Sequence, residues 1–158
     1  MATFALVITS DRVLRGEVED QITPLVEKAL REGGHTLVHR VVVPNDIYAI
    51  RNAVLDAVSR ADVVIVTGGT GLSPKDLSIE ALQPLAVKEL PGFGEVFRLR
   101  SLDQVGMGAI LSRASGFLIG RSLVFVTPGS PQAVRLALDI ILPIVAHGLE
   151  QARGEPHH

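Results

Sequence analysis

A glycine-rich loop after a short apolar stretch carries the side chains best suited to chemistry in this chain. Residues 62–66 are mostly β-branched, which is typical of a buried strand, and Thr67-Gly-Gly-Thr-Gly71 follows them directly. Glycines let backbone N–H groups approach an anion closely, and the hydroxyls of the threonines and of Ser73 add donors. Lys75 and Asp76 place a cation and a carboxylate beside the loop. The pattern predicts a phosphate-binding loop.

The loop matches neither of the two common nucleotide-binding motifs. No Gly-Lys-Ser/Thr follows its first glycine at the spacing of a P-loop, and Gly69-Thr-Gly71 lacks the third glycine of a dinucleotide fingerprint. The alternative interpretation is structural, with glycines that only shape a tight turn between a strand and a loop. The residues at the other strand ends favour the binding role.

Strand-like and helix-like stretches alternate along the chain. Strands are predicted at residues 4–10, 36–43, 62–66 and 123–127, and helices at 21–31, 47–59 and 131–152. Between residues 78 and 120 the pattern is less regular, with a helix at 79–90, a break at Pro91-Gly92 and a helix at 93–101. This order predicts one α/β domain over residues 1–158, with a mostly parallel sheet between helices.

Residues directly after each strand are candidates for a site, because ligands of open α/β sheets bind beyond the carboxyl ends of the strands. These are Ser10-Asp11, Pro44-Asn45-Asp46, the glycine loop with the residues up to Asp76, and the turn Thr127-Pro-Gly-Ser-Pro131. In that turn Ser130 suits a helix N-cap and Pro131 the first helical position, so free N–H groups and the helix dipole favour an anion. The alternative for this turn is an ordinary, well-capped helix.

Composition limits the function classes. The chain has 158 residues, of which 47% are hydrophobic, a formal net charge of −2 and no cysteine. We therefore expect no nucleic-acid or membrane partner, no thiolate metal site, no cysteine nucleophile and a cytoplasmic location. We expect none of the five histidines, which include His157 and His158, to bind a metal ion.

Four stretches, in this order, resemble the MogA/MoaB family of molybdenum-cofactor biosynthesis. They are Thr67-Gly-Gly-Thr-Gly71 with Asp76, Glu89-Leu-Pro-Gly-Phe-Gly-Glu95-Val-Phe-Arg98, Leu111-Ser-Arg-Ala114 and Pro128-Gly-Ser-Pro131. The resemblance implies a three-layer α/β molybdopterin-binding fold. It also implies an enzyme, homotrimeric or homohexameric, that adenylylates molybdopterin with ATP and Mg²⁺. Its product would be the substrate of a downstream metal-insertion enzyme.

The resemblance further implies roles for individual residues. Asp76 is expected to be a catalytic carboxylate that binds Mg²⁺, while Gly68, Gly69, Thr70 and Gly71 are expected to hold the pterin phosphate or the adenylate. The other candidate substrate-binding residues are Ser10, Asp20, Thr67, Ser73, Gly129 and Ser130. The alternative roles are a helix-start acid for Asp20 and a surface acid for Asp76.

One position departs from the family pattern. Many members have aspartate directly after the proline that ends the second strand, whereas this chain has Pro44-Asn45-Asp46. We predict that Asp46 becomes the second catalytic carboxylate and Mg²⁺ ligand, because it is the only acid within reach of that strand end. The alternative is that Asn45, a poorer Mg²⁺ ligand, occupies the family position and Asp46 is the N-cap of the next helix.

Three functions are compatible with these residues. The leading hypothesis is a molybdopterin adenylyltransferase, and the first alternative is a non-catalytic family member that binds or hands on molybdopterin. A flavodoxin-like electron carrier is disfavoured, since one Tyr and no Trp leave little to stack on a flavin ring. Phe93, Val96, Phe97, Leu99 and Leu102 offer more apolar surface than one short helix buries, which predicts self-association.

Overall fold

One six-stranded sheet forms the centre of the molecule. In the computed structural model, which describes residues 1–155, the strands are β1 (Thr3–Thr9), β2 (Thr36–Val43), β3 (Val63–Thr67), β4 (Lys88–Glu89), β5 (Ser115–Ile119) and β6 (Ser122–Thr127). Their order in the sheet is β2-β1-β3-β6-β5-β4. The first four strands in that order run parallel to one another. At the other edge, β5 pairs antiparallel with β6, and β4 pairs antiparallel with β5. His157 and His158 lie outside the described residues.

Seven helices lie between or after the strands in the described part of the chain. They are α1 (Asp11–Leu14), α2 (Ile22–Glu32), α3 (Ile47–Val58), α4 (Ser78–Leu82), α5 (Pro91–Val105), α6 (Pro131–Ile141) and α7 (Val145–Ala152). Three-residue or six-residue 3-10 turns follow α4, α5 and α6, at Gln83–Leu85, Gly106–Leu111 and Leu142–Ile144.

The helices form one layer on each face of the sheet. Buried residues of α2, α5, α6 and α7 share an apolar cluster with one face, and buried residues of α3 and α4 share a second cluster with the other. Along β1, Phe4, Leu6 and Ile8 belong to the first cluster, whereas Ala5 and Val7 belong to the second. This alternation is typical of a strand that is buried on both faces. The arrangement confirms the predicted three-layer α/β fold with a mostly parallel sheet.

The region between residues 78 and 120 differs most from the sequence-based prediction. The helix expected at 79–90 ends early, because α4 covers only Ser78–Leu82 and the chain then forms the edge strand β4. The break expected at Pro91-Gly92 is the start of α5, since the first helical position needs no N–H and suits proline. Strand β5 was not predicted.

The helical run Pro131–Ala152 is long and apolar enough, by length and composition, to cross a membrane. Its most apolar window has a mean hydropathy of 1.4. Val134, Ala137 and Ile141 nevertheless pack in the first apolar cluster. The run is also interrupted by the 3-10 turn at Leu142–Ile144, where Pro143 lacks the N–H that a continuous helix uses.

Candidate functional site

Three adjacent parallel strands end at the same level of the sheet. Thr67, the last residue of β3, pairs with Ile8 on one side and with Thr127, the last residue of β6, on the other. Thr9 pairs with Val43 at the end of β2. Because β2 and β3 lie on opposite sides of β1, the strand order switches here, which is where open α/β sheets bind ligands.

The glycine loop adopts a backbone conformation that requires glycine at two positions. Gly68 has φ +96° and Gly69 has φ +75°, values that residues with a side chain rarely adopt. A Cβ on Gly68 would lie 2.6 Å from the carbonyl oxygen of Thr9, and one on Gly69 would collide with Oγ of Ser78. The loop therefore packs its backbone against β1 on one side and against the start of α4 on the other.

The carbonyl groups of the loop accept hydrogen bonds from within the protein. Oγ of Ser78 donates to Gly68 O at 2.8 Å, and the N–H of Ser78 donates to Gly69 O at 3.2 Å. The guanidinium of Arg113 donates to Gly71 O at 2.7 Å. In contrast, the N–H groups of Gly69, Thr70 and Gly71 donate to no acceptor within residues 1–155. Three successive amide donors at the carboxyl edge of the sheet are suited to bind an anion.

Asp76 folds back over this loop. Its Oδ2 accepts a hydrogen bond from the N–H of Ser73 at 3.0 Å, and a Cβ on Gly71 would lie 2.7 Å from the same oxygen. Oγ of Ser73 in turn accepts from the N–H of Lys75 at 3.0 Å. The other carboxylate oxygen of Asp76 accepts no hydrogen bond from the described residues, so it is available to a ligand.

The end of β2 meets Asp11, an acid to which the sequence analysis gave no role. Asp11 accepts hydrogen bonds from the N–H of Asn45 at 3.0 Å and from its side-chain Nδ2 at 3.3 Å. Nζ of Lys75 lies 3.6 Å from Oδ2 of Asp11. The backbone N–H of Asn45 is the main cause of a lowered pKa of Asp11, which keeps this carboxyl ionised. Asp11 therefore links the strand end to the glycine loop.

Asp46 lies at the N-terminal end of α3. Its Oδ2 accepts from the N–H of Ala49 at 2.8 Å, so Asp46 is the N-cap of α3. The expectation that Asp46 is the only acid near this strand end is wrong, because Asp11 contacts Asn45 directly. Sequence separation explains the error, since Asp11 and Asn45 are 34 residues apart along the chain.

Two of the three serines predicted in the site are helix caps. Oγ of Ser10 accepts from the N–H of Val13 at 3.1 Å, and Oγ of Ser130 accepts from the N–H of Ala133 at 3.2 Å. Gly129 lies against the glycine loop, because a Cβ on it would be 3.5 Å from the Cα of Gly68. The two loops predicted to bind anions are therefore neighbours.

Asp20 is an acid at the start of α2 that also lines a pocket. Its carboxylate accepts from the N–H of Ile22 at 2.8 Å and from Nη2 of Arg40 at 2.7 Å, which ties the start of α2 to β2. It also lines a pocket of 240 Å³ at the strand ends, together with Ser10, Thr67 and Gly129. The geometry thus brings these four predicted residues to one pocket, although most acceptor positions of Asp20 are already used.

No group of three or more His, Cys, Asp or Glu within residues 1–155 is placed to hold a metal ion. The donors near the loop are single carboxylates, Asp76 and Asp11. This set fits Mg²⁺, which usually binds one or two protein carboxylates and takes its remaining ligands from substrate phosphates and water.

Sequence reasoning gave no role to three residues that shape the site, namely Asp11, Ser78 and Arg113. Arg113 lies within the stretch Leu111-Ser-Arg-Ala114 that carried the family resemblance, so a signal for it was present without a role. Ser78 and Asp11 follow a loop and a strand, and only their contacts reveal what they hold.

Comparison with known proteins agrees with this geometry. The family described as "Probable molybdopterin binding domain" matches residues 5–147. A protein of Pyrococcus furiosus named molybdopterin adenylyltransferase is 41% identical over 155 residues, covering 95% of this chain and 90% of its own length. Molybdenum cofactor biosynthesis protein B of Bacillus anthracis is 45% identical, covering 84% of this chain and 81% of its own length.

Among solved structures, the chain is similar to the tungsten cofactor synthesizing protein MoaB from Pyrococcus furiosus. The TM-score is 0.89 at 40% sequence identity, with 97% of this chain and 98% of that chain covered. The likeness therefore extends over nearly the whole chain.

The Asp20–Arg40 link predicts a pH-dependent stability. Burial opposes the charge of Asp20, but hydrogen bonds from Thr23 and Arg40 outweigh it, so the pKa of Asp20 is lowered from its ordinary 3.8. The charge thus stabilises the folded state above pH 3.8, and the contribution is lost as the pH falls through the lower, folded-state pKa. We expect Asp20→Asn to lower the free energy of unfolding by about 1 kcal/mol at pH 7.

Urea unfolding of both proteins at pH 7 and at pH 3 measures this difference. The gap is expected to narrow at pH 3, which lies below the ordinary pKa of 3.8, because Asp20 is protonated in the unfolded state there and must lose that proton to form its charged contacts. Asp103→Asn is the control, because Asp103 is exposed and has no partner within the described residues. A gap of the same size at both pH values would contradict the assignment.

Proposed function

Because the chain belongs to the family of the probable molybdopterin binding domain, we propose that it transfers an adenylyl group from ATP to molybdopterin. A phosphate oxygen of molybdopterin bonds to the α-phosphorus of ATP, the bond from that phosphorus to its bridging oxygen breaks, and pyrophosphate leaves. The observation that carries the proposal is the row of three unused amide N–H groups at Gly69, Thr70 and Gly71. Membership of this family argues against the flavodoxin-like electron carrier.

The main obstacle to this reaction is the repulsion between the negative charges of two phosphate groups. Amide donors fixed by the fold can hold one phosphate without reorganising during the reaction, which lowers the barrier electrostatically. Gly129 and Ser130 lie next to these donors and would contact the same ligand, as would Thr67 and Ser10 in the adjoining pocket. No protein nucleophile is needed.

Mg²⁺ would supply positive charge between the reacting phosphates when bound. Asp76 is the carboxylate best placed to hold it, because one of its oxygens is unused and the other is fixed at the loop. For the second carboxylate, the geometry favours Asp11 over Asp46. Asp11 is tied to both Asn45 and Lys75, whereas Asp46 caps a helix.

A non-catalytic carrier is the second candidate function. The observation that favours it is Asn45, a neutral residue that donates both of its hydrogen bonds to Asp11. Incubation with molybdopterin, ATP and Mg²⁺, followed by detection of adenylylated pterin and pyrophosphate, tests the enzyme. Isothermal titration that shows pterin binding in a protein without this turnover would select the carrier.

Asp76→Asn tests the proposed catalytic carboxylate. We expect adenylylation to fall by at least about a hundredfold, since the charge that holds Mg²⁺ and orders the loop is removed. The melting temperature is expected to stay close to that of the wild type because Asp76 lies in a loop. Asp103→Asn again serves as the control, and near-normal turnover of Asp76→Asn would reject the role.

Variants at Asn45, Asp46 and Asp11 decide which acid accompanies Asp76. If Asp46 is only a helix cap, Asp46→Ala costs about 1 kcal/mol of stability and leaves turnover within about threefold of the wild type. Asp11→Asn is expected to reduce turnover strongly, and Asn45→Asp to raise it by adding a Mg²⁺ ligand. Loss of Mg²⁺-dependent turnover in Asp46→Ala, with Asp11→Asn unaffected, would restore Asp46 to the site.

Gly71→Val tests the glycine loop as the phosphate site. The new side chain would meet Oδ2 of Asp76, which lies 2.7 Å from the Cβ position, and would displace both the loop and the carboxylate. We expect the affinity for molybdopterin to fall at least about tenfold, or about 1.4 kcal/mol. Gly92→Val is the control, because nothing lies within 4 Å of its Cβ position. Equal affinities of the two variants would refute the site.

We also propose that the enzyme is a trimer or hexamer. Phe93 and Phe97 are buried in the core, so they do not contribute to an association surface as the sequence suggested. Seven of the exposed apolar residues lie along one stretch, from α5 into the 3-10 turn after it, and are Val96, Leu99, Leu102, Val105, Met107, Ile110 and Leu111. A concentration of exposed apolar side chains in one stretch is typical of an interaction surface.

Light scattering is expected to give three or six times the chain mass of 16.9 kDa. Leu99→Lys places a charge in the middle of the apolar stretch and is expected to shift the protein toward the monomer. Val38→Lys, at a residue that is 47% exposed on the edge strand β2, is the matched control. A wild-type monomer at micromolar concentration would contradict the proposal.

We also propose that the protein is cytoplasmic and that its product is delivered to a metal-insertion enzyme.

A further inference from the structure

Arg113 donates most of its hydrogen bonds to the backbone of the glycine loop. Its main-chain N–H donates to Thr70 O at 3.0 Å, and its Nε donates to Gly71 O at 3.0 Å. Nη2 donates to Gly71 O at 2.7 Å and to Asp76 O at 3.0 Å. Nη1 donates to the carboxylate of Glu80. One side chain thus holds the loop and the backbone of the proposed catalytic aspartate together.

These bonds complete the occupation of four successive carbonyl groups. Ser78 binds those of Gly68 and Gly69, and Arg113 binds those of Thr70 and Gly71. A peptide unit carries its N–H opposite its C=O, so fixing the carbonyls on one side fixes the direction of the amides. We infer that Arg113 is the positioning residue that holds the glycine loop in its anion-binding conformation.

The geometry requires arginine and not merely a positive charge. The planar guanidinium presents several N–H donors in a fixed fork, and it reaches three carbonyl oxygens and one carboxylate at the same time. A lysine ammonium is a point charge that cannot match these directions. Glu80 pairs with Arg113, and this hydrogen bond lowers the pKa of Glu80. The ion pair leaves little net charge for the ligand, so the effect of Arg113 on binding is geometric.

The chain on both sides of Arg113 is also fixed. Nη1 of Arg98 donates to Ser112 O at 3.3 Å and to Ala114 O at 2.9 Å. These two carbonyls flank Arg113, and α5, which carries Arg98, packs in the first apolar cluster through Phe93 and Phe97. The position of Arg113, and through it that of the loop, is therefore set by the core.

Arg113→Lys tests the inference, with Arg153→Lys as the matched control. Arg153 also pairs with a carboxylate, that of Asp62 at 2.6 Å, but this pair lies at the opposite end of β3 from the loop. In full-length protein labelled with ¹⁵N-glycine, the amide signals of Gly69 and Gly71 report on the loop, and inorganic pyrophosphate is the probe anion. We expect pyrophosphate affinity at these signals to fall at least tenfold in Arg113→Lys and to stay within twofold in Arg153→Lys.

A merely structural role for Arg113 would lower the melting temperature of Arg113→Lys and leave the pyrophosphate affinities of the two variants equal, and that result overturns the inference. Wild-type signals that do not shift when pyrophosphate is added overturn it as well. If Arg113→Lys does not fold, Arg98→Lys replaces it with the same expected direction, since it keeps the net charge and releases the two carbonyl groups that flank Arg113. The inference rests on the proposed function only for the identity of the natural ligand. If pyrophosphate binding depends on Arg113 but no adenylylation is detected, the proposed function is refuted and the inference about Arg113 is retained.

Discussion

The parallel pairing of β1, β3 and β6 is the constraint on which the rest of the molecule depends. Because Thr67 pairs with Ile8 and with Thr127, three chain segments leave the sheet at one level and on one edge. A slip of one residue would turn the buried side chains of a strand to the other face, where the spaces left by the two helix layers do not fit them. The core therefore fixes the register, and the register brings the two loops together.

The glycine loop shows how the protein satisfies its polar backbone at a site. Buried carbonyl groups need donors, and here Ser78 and Arg113 provide them from two separate parts of the chain. Glycine adopts the positive φ of Gly68 and Gly69 at little cost, and those donors and the neighbouring strand hold the two residues in this conformation. Amide groups without protein acceptors are then a consequence of the loop geometry, and they are the groups proposed to bind an anion.

Local patterns predicted the part of the fold that depends on local properties. The β-branched runs of β1, β2, β3 and β6 and the amphipathic periodicity of α2 and α3 have a clear signal in the sequence. Strand β4 has only two residues, and β5 contains Gly116, so pairing within the sheet and not intrinsic propensity determines both. The glycine loop was predictable from its composition. Asp11 and Arg113 act over 34 and 42 residues, and no local pattern encodes such contacts.

Within the described residues, the proposed anion-binding surface of the glycine loop contains no histidine or other group that titrates near neutral pH. Backbone amides do not ionise, and a guanidinium group keeps its charge at every physiological pH. A phosphate monoester, by contrast, loses its second proton at about pH 6. Affinity at such a surface follows the ionisation of the ligand and not that of the protein. Acidification protonates the histidines of a histidine-based phosphate site, but it leaves the amide donors of this loop unchanged.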